Sequence, residues 1–92
     1  MKEQNSEEDI LEHEVTFSKK VEHSYTSWLS DYFAKERLNS FNNFCDPLLD
    51  KEYLDTLRNR QLSLDKIESD MLTYIETGRL ASMTLAKIHE QE

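Results

Sequence analysis

The sequence predicts an all-α fold: a helical hairpin of two long helices that associates further into a helical bundle or coiled coil. Three observations carry this expectation. The 92 residues include one glycine and one proline, so the turn chemistry that a β-sandwich or a βαβ unit needs at many points is missing. Hydrophobic residues make up 37% and charged residues 33%, with a mean hydropathy of −0.78. Apolar material this scarce has to lie on narrow faces, as it does on amphipathic helices. The third observation is a heptad-like pattern in the C-terminal half. An aromatic content of 10% argues against disorder, which is poor in the residues that anchor packing.

At this length the chain is one domain with a thin core. Residues 1–6 are polar, lack apolar periodicity and are expected to form a flexible tail ahead of a single helical domain over 7–92. Ser6-Glu7-Glu8-Asp9 resembles a capping box, and its acids suit the positive end of a helix dipole. A first helix is therefore expected over about 7–41. Leu11, Val21, Tyr25, Trp28 and Tyr32 follow the three- and four-residue spacing of one face, with Phe17, Leu29 and Phe33 widening the stripe. Six serines and threonines between Thr16 and Ser30 lower local helix propensity, so packing must supply much of this helix's stability.

Asn39 to Cys45 weakens the helical pattern, and Asp46-Pro47 offers an N-cap followed by proline at the first helical position. The turn is placed at about 42–46, with Phe41, Phe44 and Cys45 packed under it, and the second helix at about 47–90. In that helix Leu57, Leu64, Met71, Gly78 and Leu85 form one heptad row, and Tyr53, Ile67, Tyr74, Ala81 and Ile88 form the other. Arg60 and Gly78 interrupt the seam; Leu54, Leu62, Leu72, Ile75, Leu80 and Met83 fall off it and call for a further packing surface. Gly78 leaves two alternatives open. Either the helix runs through it, and Gly78→Ala stabilises by up to about 1 kcal/mol provided the methyl fits, or Gly78 terminates it and a short third helix follows.

Charge and motifs bound the function. The net charge of −8 disfavours direct contact with nucleic acid or an anionic membrane surface. It divides as −5 over residues 1–14 (six acids, one base), +1 over 15–45 (three acids, four bases) and −4 over 46–92 (ten acids, six bases). Cys45 is the single cysteine, which rules out an intrachain disulfide and points to a reducing, intracellular setting, cytoplasmic or nuclear. The N-terminus has no basic start followed by an apolar run, so no signal peptide is expected. His13, His23 and His89 lack the spacing of helical metal ligands, Cys45 has no adjoining histidine base, and one glycine cannot build a phosphate loop. No catalytic residue, metal or cofactor is expected.

The resulting expectation is a non-catalytic protein–protein interaction module, a helical adaptor or subunit working as a homodimer or in a hetero-complex. Its contact residues are expected to be Val21, Tyr25, Trp28 and Tyr32 on the first helix, and Leu57, Leu64, Ile67, Met71 and Tyr74 on the second. Trp and Tyr suit such a role because each brings large apolar area with a polar handle. The alternative is a small acidic inhibitor that occupies a basic nucleic-acid-binding site, using Asp46, Asp50, Glu52 and Asp55. Lys51, Arg58, Arg60 and Lys66 break up that acidic row.

Overall fold

The computed structural model describes the backbone of residues 2–91 and the side chains of residues 7–91. Two antiparallel arms form a hairpin. The first arm joins α1 (Lys2–Ser24), one π-helical turn (Tyr25–Leu29) and α2 (Ser30–Phe44); the second is α3 (Lys51–Glu90). The rod measures 66 × 23 × 15 Å, which is a single layer of two helices, so each helix packs on one side alone. Long helices follow from the composition: no glycine or proline interrupts residues 2–44. The backbone is helical from Lys2, ahead of the start expected at residue 7. Met1 and the side chains of the expected tail lie outside the described residues.

The turn differs from the sequence expectation. Asp46 caps a tight reversal, its Oδ1 accepting from the Leu48 amide at 2.9 Å while its carbonyl accepts from Leu49 at 3.4 Å. Asp50 is the N-cap of α3: its backbone is extended and its Oδ1 accepts from the Glu52 amide at 2.9 Å. Both aspartates suit capping. The second one starts the helix because the chain must first cross between axes that pack about 8–10 Å apart. Phe41, Phe44 and Cys45 do not pack under this turn; all three are exposed, and Leu48 at 90% is nearly free of contact.

α3 runs through Gly78 without a break, with φ negative there, so the short third helix is absent. Gly78 is buried because α1 crosses at that point: an added Cβ would overlap Ser18 Oγ and Cβ. Ser18 itself is buried, its hydroxyl donating to the Val15 carbonyl at 2.9 Å. Glycine here serves close approach rather than helix termination. The condition under which Gly78→Ala would stabilise, that the methyl fits, is not met.

The buried or half-buried stripe of α3 is Leu54, Leu57, Gln61, Leu64, Glu68, Met71, Ile75, Gly78, Ala81, Leu85 and Ile88. The row through Leu57 and Leu64 is as expected. The companion row through residues 53–74 is shifted by one: Leu54 and Ile75 face the first arm, whereas Tyr53, Ile67 and Tyr74 are exposed. A two-helix layer buries little, and the buried hydrophobic residues are Phe33, Leu57 and Ala81 among the described residues.

Candidate protein-interaction face

The site begins with the π-helical turn. Along α1 the inward positions are Leu11, Glu14, Ser18, Val21 and Tyr25, a regular heptad that would continue to Trp28 and Tyr32. Instead the Ser30 amide reaches back five residues to the Tyr25 carbonyl. One extra residue in a turn rotates the downstream helix by about 100°. The inward set therefore becomes Leu29, Phe33, Glu36, Ser40 and Asn43, and Trp28 and Tyr32 swing outward. Hydroxyl side chains cluster at this turn: Thr26 Oγ1 donates to the Glu22 carbonyl at 2.9 Å and Ser27 Oγ to the Ser24 carbonyl at 3.3 Å. Such back-bonding competes with the main-chain pattern and bends helices.

The nine residues expected to make contacts thus separate into two groups. Val21, Tyr25, Leu57, Leu64 and Met71 are buried or half-buried between the arms and hold the hairpin together. Trp28, Tyr32, Ile67 and Tyr74 are exposed, at 58%, 37%, 50% and 51%.

The exposed four share one flank of the rod. Tyr53, Arg60, Ile67 and Tyr74 recur every seven residues and so lie on one stripe of α3. Tyr74 meets Phe17 of α1 edge-on, ring centroids 5.3 Å apart, and Ile10 lies seven residues before Phe17 on the same stripe of α1. Arg60 pairs with Glu36 at 3.0 Å, which brings the neighbouring turn of α2, with Tyr32, to this flank. Trp28 packs on Tyr32 with centroids 6.2 Å apart, and Tyr32 continues to the buried Phe33 at 5.9 Å. The face is a run of half-exposed aromatics anchored on the core. A groove of about 390 Å³ lies in it, lined by His13, Glu14, Phe17, Thr73, Tyr74 and Thr77.

The opposite flank is of different character. Its groove is lined by residues that include Lys19, Glu22, Arg79 and Met83, and an Arg79–Glu76 ion pair crosses the exposed stripe of Leu62 and Met83. Apolar side chains there alternate with paired charges. On the aromatic flank no carboxylate falls within the stripes of Ile10 and Phe17 or of Tyr53 to Tyr74.

The loop-proximal half of the seam holds a polar network that apolar spacing does not signal. Glu68, 16% exposed, accepts from Tyr25 Oη at 2.9 Å and from Arg37 Nη2 at 2.6 Å. Arg37 also reaches Asp65, which accepts from Gln61, and Ser40 donates to Gln61 at 2.8 Å. Polar groups at seam positions fix register when every partner is supplied. The hydrogen bond to Glu68, with burial, raises the Tyr25 phenol above its ordinary pKa of 10.0. A raised folded pKa means that the stability from this bond is fully present below pH 10.0 and is lost as pH rises through the folded value. Tyr25→Phe is expected to cost about 1 kcal/mol at neutral pH. Urea unfolding of both proteins from about pH 8 to about pH 11 checks it, the gap closing only above pH 10.0.

No group of three or more His, Cys, Asp or Glu side chains placed to hold a metal ion occurs among the described residues, and no described helix is long and apolar enough to cross a membrane. The chain matches no protein-family model, no curated protein and no solved structure.

Proposed function

We propose that this chain is a non-catalytic helical interaction module that docks other protein chains through its aromatic flank, as an intracellular adaptor or complex subunit. The observation that carries the proposal is the outward rotation of Trp28 and Tyr32 onto the flank whose other end carries the Phe17–Tyr74 pair. Exposed apolar patches of this extent on small proteins mark contact surfaces, and Trp and Tyr are the residues in which binding energy concentrates. The acidic-inhibitor alternative draws less support. Two members of its row, Asp46 and Asp50, spend a carboxylate oxygen on capping backbone amides.

Binding to the protein that co-purifies, measured across a salt series, tests the proposal. Trp28→Ala is expected to weaken binding by about 2 kcal/mol while circular dichroism stays helical, and added salt does not weaken the wild-type complex. A steep salt dependence that disappears when Asp50, Glu52 and Asp55 are neutralised together replaces this proposal with the acidic inhibitor.

A further inference from the structure

We infer that the occupant of the aromatic flank is a second copy of this chain, packed face to face as a two-fold symmetric four-helix bundle; the inference rests on the docking function proposed above. Area is the first argument. A compact monomer of 11.0 kDa exposes about 5,600 Å² by the size scaling of folded proteins, whereas this chain exposes 7345 Å². The patch from Ile10 to Tyr32 is about 33 Å long at the helical rise. Across a rod 23 Å wide it offers about 750 Å², close to the roughly 800 Å² that each partner contributes to a standard stable interface.

Charge is the second argument. Each copy carries −8, so two copies repel wherever their carboxylates meet. The stripes of Ile10 and Phe17 and of Tyr53 to Tyr74 contain no carboxylate, Glu36 on this flank is paired with Arg60 and Glu14 at the groove is half-buried, so like-charged copies meet few unpaired carboxylates there. A symmetric contact also covers the same apolar patch on both chains at once, which supplies the third surface that a single-layer hairpin lacks.

Sedimentation equilibrium of the purified chain, over a concentration range and at two salt concentrations, is the test. The wild type is expected at twice 11.0 kDa, associating more tightly in higher salt as repulsion is screened. Ile67→Asp places an unpaired charge in the contact and should weaken self-association about 100-fold. It should leave helicity intact, because Ile67 is exposed in the hairpin. Leu62→Asp, at a similarly exposed position on the opposite flank, should remain dimeric. A folded monomeric wild type overturns the inference, as does a dimer dissociated by Leu62→Asp but not by Ile67→Asp, or one weakened by salt. A monomer that loses a different co-purified protein when Ile67 is replaced overturns the second copy and leaves the docking function standing. A monomer with no partner, indifferent to Ile67→Asp and Trp28→Ala, removes both.

Discussion

Phe33→Ala is expected to destabilise the hairpin by about 3–5 kcal/mol, whereas Tyr32→Ala, one residue away, costs only about 1 kcal/mol. Phe33 is 3% exposed and meets Tyr25 with ring centroids 6.5 Å apart, so truncating it opens a cavity in a core that has few other large members. Tyr32, 37% exposed, loses its edge contacts with Trp28 and Phe33 at the margin of the packed seam. Urea unfolding of both variants should be done in an Ile67→Asp background, so that self-association does not add to either value. The contrast reports on the π-helical turn. Without it the regular heptad turns Tyr32 inward and Phe33 to the edge, and the ranking of the two variants inverts.

Gly78→Ala is expected to lose about 1–3 kcal/mol through overpacking, even though alanine is the better helix former by up to about 1 kcal/mol. The methyl has no room: the overlap involves Ser18 Cβ, which no rotamer change removes, and the Glu14 carbonyl lies 3.4 Å away. The double variant Ser18→Gly/Gly78→Ala moves the free space to the other helix and should be more stable than Gly78→Ala alone. That non-additivity is the signature of a direct contact. Thermal unfolding of the wild type and the variants reads it, and a stabilised Gly78→Ala protein would mean that the two helices do not cross closely at this point.

Burial also bears on how the chain assembles. The residues between the arms and the residues on the flank come from the same two helices, separated by rotation alone. Under the proposed docking, substitutions at Leu57 or Met71 are expected to act on folding, and those at Ile67 or Tyr74 on association. A stability assay and a mass measurement on the same variant tell the two apart.

Composition and local spacing are enough to specify the helical class, the hairpin and the Leu57–Leu85 row. Near absence of glycine and proline leaves helices as the available structure, and heptad spacing is a local property of the chain. The same spacing singles out Trp28, Tyr32, Ile67 and Tyr74 as apolar positions that need a contact. Which surface they occupy depends on the packing of the two arms. Periodicity counts from a fixed phase, and one π-helical turn at Tyr25–Leu29 changes that phase for every later residue of the arm. On α3 the rows Tyr53, Arg60, Ile67, Tyr74 and Leu54, Gln61, Glu68, Ile75 each mix apolar with polar residues, and the second row is the one that faces the first arm. Gln61 and Glu68 belong there because Tyr25, Arg37 and Ser40 stand opposite to hydrogen-bond them. Gly78 is the same case in miniature: only the position of Ser18 on the other helix shows that its missing Cβ makes room for a crossing. Partners on the opposite arm are distant in sequence and invisible to local spacing, and they decide whether a polar or small residue lies at a seam or at a surface.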